Sequence, residues 1–130
     1  MSVTGFDHYN LSAHRGVLEV LREFYVNVVG LHVGPRPTLR RFGYWLYAGQ
    51  AAVLHLSEAS PDDLRALHVR GTFNHAAFRG QGFVTQQETL RRHGIAVRVV
   101  EDSIQQLRQL FFLDPAGNGV EIAYTLDDNA

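Results

Sequence analysis

The stretch "FDHYNL" at residues 6–11 recurs in the chain as "FNHAAF" at residues 73–78. In each copy a histidine follows an aromatic residue and a short acid or amide, inside a segment whose aromatic and apolar content predicts a strand. Further landmarks recur at offsets between 64 and 68 residues, namely Gly30 with Gly94, Gly49 with Gly117, and His55 with Glu121. Landmarks that keep register across both halves predict an internal duplication.

Each half of the chain predicts the same order of elements, β-α-β-β-β. Apolar residues at helical spacing indicate one helix per half, and a glycine ends each helix. The first half predicts a strand at 6–13, a helix at 15–29, and strands at 31–36, 42–49 and 51–58. The second half predicts a strand at 72–80, a helix at 83–94, and strands at 95–101, 107–115 and 119–124. We therefore predict a single α+β domain over residues 1–130, with module one at about 4–58, a connector at about 59–70 and module two at about 71–125.

Composition excludes several classes of function. The formal net charge is -1, without the basic stripe that a nucleic-acid binder needs. The chain has no cysteine, which removes disulfide scaffolds, thiolate metal sites and cysteine nucleophiles. There is no apolar run of membrane-spanning length, and the N-terminus lacks the features of a signal peptide. We expect a soluble, cytoplasmic protein with no nucleic-acid or membrane partner.

Four duplicated positions carry side chains that bind metals: His8, His75, His55 and Glu121. Each lies in a predicted strand, and strand alternation puts Glu121 on the face opposite its two apolar neighbours. A single strand histidine is more often a hydrogen-bonded residue than a ligand, and the other histidines are interpreted that way. The matched set favours a divalent metal, because polar side chains on a buried face are costly unless something satisfies them.

Four segments together carry a resemblance to a known family: "FDHYNL", "REFYVNVVGL" at 22–31, "FNHAAF", and "LFFLDPAGNGVEI" at 110–122. They resemble the vicinal oxygen chelate superfamily, which includes glyoxalases, bleomycin-resistance proteins and extradiol dioxygenases, over about residues 4 to 125. The resemblance implies tandem βαβββ modules that form a curved, half-open barrel of mixed sheet around a metal, commonly in a homodimer. It also implies that His8, His75 and Glu121 are the shared ligands, and that His55 takes the fourth-strand position.

The resemblance implies one divalent metal per chain, and the donor set suits Zn, Ni, Co, Mn or Fe(II). Such a metal leaves positions open for the vicinal oxygens of a small-molecule substrate and polarises a carbonyl. We expect an isomerase or lyase of the glyoxalase I type. His55 stands where glyoxalase I has a glutamate, and it serves either as a ligand or as the general base.

Two alternative functions stay open. An extradiol dioxygenase would use His8, His75 and Glu121 to hold Fe(II), although Phe111 stands where those enzymes have a tyrosine. A non-catalytic antibiotic-binding protein would share the fold, generally without the ligand set. Fosfomycin thiol transfer is disfavoured because no basic cluster follows Glu121, and a purely structural metal site is disfavoured by the absence of cysteine.

Strand parity suggests residues that line a substrate pocket. Gln109 shares a strand face with Phe111, whereas Arg108 points to the other face unless the strand twists. The remaining candidates are Tyr124, Trp45, Tyr47 and Arg36.

Overall fold

A computed structural model describes all of residues 1–130. Contacts between residues divide the chain into two compact units, Met1–Ala66 and Leu67–Ala130. Unit 1 contains β1 Tyr9–Ala13, α1 Arg15–Phe24, β2 His32–Gly34, β3 Gly43–Ala48 and β4 Ala51–Glu58. Unit 2 contains β5 His75–Arg79, α2 Phe83–Arg92, β6 Arg98–Asp102, β7 Leu107–Leu113 and β8 Gly119–Thr125.

The two units have the same sheet topology, which confirms the predicted α+β class and the tandem βαβββ modules. The strand order is β1-β4-β3-β2 in unit 1 and β5-β8-β7-β6 in unit 2. In each sheet the first strand runs parallel to the last, and the other neighbours are antiparallel. Each sheet is therefore mixed and open.

The first helix follows from its apolar periodicity, with Leu18, Leu21 and Phe24 buried. It continues as a π-helical turn at Tyr25–Val29, which the spacing of apolar residues does not predict. Gly30 ends this turn with φ 100°, a left-handed conformation that glycine adopts without a steric penalty.

The second helix has few buried apolar residues and depends on a distant cap. Phe83 and Leu90 are its buried side chains. Asp128, from the segment after β8, accepts hydrogen bonds from the backbone N–H groups of Gly82 (2.9 Å) and Phe83 (3.2 Å). A carboxylate at this position satisfies two of the amide groups that a helix start leaves free.

Several strands are shorter than predicted. Pairing of β1 with β4 begins at Tyr9, so His8 directly precedes the strand rather than lying inside it. β5 begins at His75 rather than at residue 72, and β6 begins at Arg98 rather than at residue 95. The backbone N–H of Ile95 is instead bonded to Leu90 O, which closes the end of α2.

Strand alternation divides each sheet into an apolar face and a polar face. In β8, Val120, Ile122 and Tyr124 are at most 3% exposed, and Tyr124 packs edge-on against Phe83 of α2. In β4, Leu54 and Leu56 are buried in the same way. The candidate metal-binding residues lie on the opposite faces. Neither helix is long and apolar enough to span a membrane.

Candidate metal-binding site

In unit 2, His75 and Glu121 lie side by side on the polar face of the sheet. Ala77 pairs with Glu121 in the parallel register, and His75 lies two residues earlier on the same face. The Nε2 atom of His75 is 3.1 Å from Oε1 of Glu121, a carboxylate whose residue is only 8% exposed. The second carboxylate oxygen accepts a hydrogen bond from the amide of Gln109 at 3.2 Å.

Phe111 completes this part of the site with an apolar ring. It pairs directly with Glu121 across β7 and β8. Its ring meets the His75 imidazole edge-on, with 5.7 Å between centroids. Gln109 and Phe111 therefore share the face of Glu121, as strand parity indicates.

In unit 1, the His55 imidazole lies in a stack of three rings. The His8 ring stacks on one face of the His55 ring with 3.6 Å between centroids, and the Trp45 ring stacks on the other face with 4.1 Å between centroids. Asn10 pairs with His55 in the register of β1 and β4, so His8, two residues earlier, lies on the same face. The pair in unit 1 thus repeats the register of His75 and Glu121.

The residue before each histidine of the duplicated motif holds its ring. Asp7 Oδ2 lies 2.5 Å from Nδ1 of His8, and Asn74 Oδ1 lies 2.7 Å from Nδ1 of His75. A metal-binding histidine typically donates its second ring N–H to a carboxylate or carbonyl oxygen, which fixes the ring and its tautomer. The acid or amide before each histidine, Asp7 or Asn74, therefore orients the imidazole ring, a role that the sequence pattern alone does not indicate.

The pKa of His55 is lowered, mainly because burial disfavours the imidazolium. The nearby charge of His8 acts in the same direction, whereas a backbone hydrogen bond with Ala52 and the charge of Asp7 oppose it. His55 is therefore neutral at neutral pH, with a lone pair available for a metal or a proton.

Unit 1 also contains a pocket of about 390 Å³ beside His55. Its lining includes two of the predicted substrate residues, Trp45 and Arg36. Four further residues that line the pocket were not predicted from the sequence: Arg40, Arg41, Asn10 and Ser57. The Ser57 hydroxyl donates a hydrogen bond to Asn10 Oδ1 at 2.8 Å. Alternation along β1 and β4 places Asn10 and Ser57 on the face of His55, so a signal for them was present.

Three of the predicted substrate residues have other roles. Arg108 and Tyr124 pair with each other on the apolar face of the unit 2 sheet, away from Glu121. The Arg108 guanidinium donates to Leu126 O at 2.7 Å and covers the Phe83 ring. Tyr124 is 2% exposed, and burial raises the pKa of its hydroxyl. This placement does not support contact with a substrate held beside Glu121, and the contact of these two residues with substrate stays a prediction.

Tyr47 is the third predicted substrate residue with another contact. Its hydroxyl donates to Pro35 O, and its ring stacks on His32 with 5.8 Å between centroids. It is not among the residues that line the pocket. Tyr47 therefore holds the segment after β2, and its contact with substrate stays a prediction.

Solved structures with similar folds include a lyase, a fosfomycin resistance protein and an antibiotic-binding protein. The chain aligns with lactoylglutathione lyase from Agrobacterium tumefaciens at 19% identity and TM-score 0.64, over 95% of this chain and 96% of that one. It aligns with a mutant of the Listeria monocytogenes fosfomycin resistance protein FosX, complexed with Mn(II) and 1S,2S-dihydroxypropylphosphonic acid, at 17% identity and TM-score 0.69, over 95% and 94%. It also aligns with TnmS3, an antibiotic-binding protein from Streptomyces sp. CB03234, at 17% identity and TM-score 0.65, over 96% and 98%.

The chain has the vicinal oxygen chelate fold. No protein-family model matches the chain, and no curated protein sequence matches it. At these identities the likeness shows the fold alone, because one fold supports many functions.

Within the vicinal oxygen chelate fold, the donors of this chain fit a divalent metal by their chemistry. Imidazole and carboxylate are ligands for first-row transition metals, and a buried carboxylate such as Glu121 is costly unless it is paired or bound to a metal. No group of three or more histidine or acidic side chains is arranged so that it could hold a metal ion, and within each unit the candidate ligands form a pair. Since a catalytic zinc site uses three protein ligands, neither unit by itself holds a complete site of that kind. The four-ligand site stays a prediction.

Proposed function

We propose that this protein is a divalent-metal-dependent enzyme of the glyoxalase I type, an isomerase or lyase. Its substrate would be a small molecule that chelates the metal through vicinal oxygens. The ligands would be His8, His55, His75 and Glu121. The observation that carries the proposal is the duplicated arrangement, in which an anchored histidine lies beside His55 in unit 1 and beside Glu121 in unit 2.

Other features of the two pairs support metal binding. In both motif copies an oxygen holds Nδ1 and leaves Nε2 for another partner. Gln109 holds one oxygen of Glu121 and leaves the other toward His75. Among proteins with this fold, the FosX structure contains Mn(II). The choice among Zn, Ni, Co, Mn and Fe(II) does not follow from the donors.

The chain's own residues suit proton transfer next to a polarised carbonyl. When bound, the metal supplies Lewis-acid polarisation of the substrate carbonyl. His55, neutral because burial lowers its pKa, either binds the metal through its lone pair or accepts the substrate proton. Phe111 places an apolar ring beside His75.

The experiment is a metal-reconstitution series assayed against candidate substrates. Wild-type protein, loaded separately with each metal, is assayed on glutathione hemithioacetals, catechols and fosfomycin. We expect turnover of a glutathione hemithioacetal with at least one metal, lost in Glu121→Gln and kept in the control His14→Gln, which lies outside both donor pairs. Turnover of a catechol alone would instead favour the dioxygenase. Absence of hemithioacetal turnover in every metal-loaded form, or full turnover in Glu121→Gln, would contradict the proposal.

A second candidate function is non-catalytic binding of an antibiotic. The pocket of about 390 Å³ beside Trp45 favours it, and TnmS3 binds an antibiotic on the same fold. A binding protein would keep its ligand affinity after chelation, whereas the proposed enzyme would not. The dioxygenase alternative requires iron and oxygen uptake with a catechol, and Phe111 in place of a tyrosine counts against it.

Two further predictions accompany the proposal. We expect a homodimer, which sedimentation analysis measures directly. We also expect a cytoplasmic location, which cell fractionation tests.

A further inference from the structure

The connection between β2 and β3 in unit 1 differs from its counterpart in unit 2. It comprises residues 35–42, "PRPTLRRF", whereas the connection between β6 and β7 comprises only 103–106, "SIQQ". The longer segment carries three arginines, and the shorter one carries no charge. Because the same fold forms without these residues in unit 2, the basic segment is not needed to build the module.

All three arginines of this segment reach the pocket beside His55. The pocket is lined by Asn10, Arg36, Leu39, Arg40, Arg41, Trp45, His55, Leu56 and Ser57. No aspartate or glutamate is among them. Its volume of about 390 Å³ is within the range of small-molecule sites, about 300–1,000 Å³. The pocket therefore combines positive charge, neutral hydrogen-bonding groups and an aromatic surface.

The positive charge in the pocket has no carboxylate partner. Arg36 Nη2 donates to Arg41 O at 2.7 Å, and Arg41 Nη1 donates to Glu58 O at 3.3 Å, both backbone carbonyls. The Glu58 carboxylate is instead bonded to Arg15, at 2.5 and 3.0 Å. None of the three arginines of the segment takes part in an ion pair.

The Arg36 guanidinium is also partly withdrawn from water. Its Nε atom is buried and has no hydrogen-bond partner. A buried donor without a partner is unfavourable, and the guanidinium keeps its charge under all conditions in a protein. An anion in the pocket would compensate this charge, since arginine binds carboxylate and phosphate oxygens through charge-assisted hydrogen bonds.

We propose that this pocket is an anion subsite, formed by Arg36, Arg40 and Arg41, for a carboxylate, phosphate or phosphonate group of the substrate. It lies beside His55, so an anionic group held there leaves the rest of the molecule next to that proposed ligand. The inference deepens the proposed function and rests on it, because it gives the substrate class as a small anionic molecule. Asn10 and Ser57 supply further hydrogen bonds on the same face.

Trp45 allows a direct test because it is the only tryptophan of the chain and lines the pocket. The full chain is stripped of metal, and the chelator, itself a carboxylate, is removed before titration. Tryptophan fluorescence is followed as methylphosphonate, inorganic phosphate or acetate is added, with neutral acetamide as the control at constant ionic strength. We expect a saturable change with at least one anion and none with acetamide. The ranking of phosphonate, phosphate and acetate identifies which anionic group the pocket prefers.

Matched variants locate the effect. Arg36→Gln should weaken anion binding about tenfold or more, since charged hydrogen bonds of this kind are lost. Arg36→Lys keeps the charge but lacks the planar guanidinium, so its anion affinity should lie between those of wild type and Arg36→Gln. The control Arg92→Gln, on the exposed surface of α2, should bind like wild type, and circular dichroism checks that each variant is folded.

Three outcomes would overturn the subsite. These are no saturable change with any anion, an equal change with acetamide, or unaltered affinity in folded Arg36→Gln protein. Because the titration is done without metal, its failure leaves the metal-dependent function standing. Conversely, failure of metal binding leaves the anion titration interpretable.

Discussion

His75 Nε2 lies 3.1 Å from Glu121 Oε1 on the polar face of the unit 2 sheet. The register of β5 and β8 positions this pair. Gln109 is hydrogen-bonded to the Glu121 carboxylate, and Asn74 is hydrogen-bonded to Nδ1 of His75. If the proposed metal binds here, two donors that are already in contact lower the cost of ordering its site. The positioning of this pair can be tested separately from catalysis.

Asn74→Ala should weaken metal binding by about 10–100-fold, because it removes the oxygen that holds Nδ1 of His75. Asn74→Asp keeps that oxygen and should bind metal nearly as well as wild type. The measurement is calorimetric titration of metal into the metal-free protein, with Asn27→Ala in the π-helical turn after the first helix as the control. Equal affinity in Asn74→Ala and wild type would show that the neighbour does not position the ligand.

Gly119→Ala should both destabilise the protein and weaken metal binding. A Cβ atom at this position would lie 2.1 Å from Asn74 O and 3.0 Å from His75 Cβ, so β5 must move. Thermal unfolding and the same metal titration measure the two effects. Gly16→Ala is the control because an added Cβ there meets nothing within 4 Å, and alanine favours a helix over glycine. A Gly119→Ala protein with wild-type stability and affinity would contradict the observed closeness of the strands.

Leu54→Ala should lower the free energy of unfolding by about 2–5 kcal/mol, as is usual for a fully buried leucine. Leu54 is 0% exposed, whereas Leu64 is 85% exposed and serves as the control. Leu64→Ala should change the free energy by less than about 0.5 kcal/mol. Denaturant unfolding measures both, and similar effects at the two positions would argue against the described core.

Asp128 should make stability depend on acid pH. Hydrogen bonds from the backbone of Gly82 and Phe83 hold the pKa of its carboxyl below the ordinary value. A lowered pKa means that the stabilisation is complete above the unfolded value and is lost as pH falls through the folded one. Asp128→Asn should therefore melt at a lower temperature at neutral pH, and the difference from wild type should shrink below about pH 4.

Other carboxyls with lowered pKa, such as Glu58, also contribute to acid sensitivity, so the comparison is between wild type and variant at each pH. Scanning calorimetry in a pH series gives both melting temperatures. A difference that stays constant down to about pH 2, below the ordinary range of a carboxyl, would mean that the charge of Asp128 does not cap the helix.

Local alternation and duplication predict much of the fold and part of the site. Glu121 between Val120 and Ile122 indicates a polar residue on the face opposite the core, and Gln109 and Phe111 follow by parity. The same rule places Tyr124 with Val120 and Ile122 on the apolar face, so strand alternation does not support a pocket role for Tyr124. The duplication of the histidine motif predicted the repeated topology directly.

Features set by contacts between distant residues could not be predicted. Asp128 caps a helix that begins 45 residues earlier in the chain, and no local pattern indicates that contact. The α-helical spacing of apolar residues does not predict the π-helical turn at Tyr25–Val29. The conformation of residues 35–42 depends on tertiary contacts, so the arginine-lined pocket was not evident from a short basic segment.

Elemental analysis of purified protein decides whether the proposed metal site exists, with wild type beside His75→Ala, Glu121→Ala and the control His14→Ala. We predict about one divalent metal per chain in wild type and in the control, and loss of that metal in both ligand variants. Iron would favour the dioxygenase, whereas nickel, cobalt or zinc would favour an isomerase or lyase. Metal-free wild-type protein after reconstitution, or undiminished metal in both ligand variants, would contradict the account.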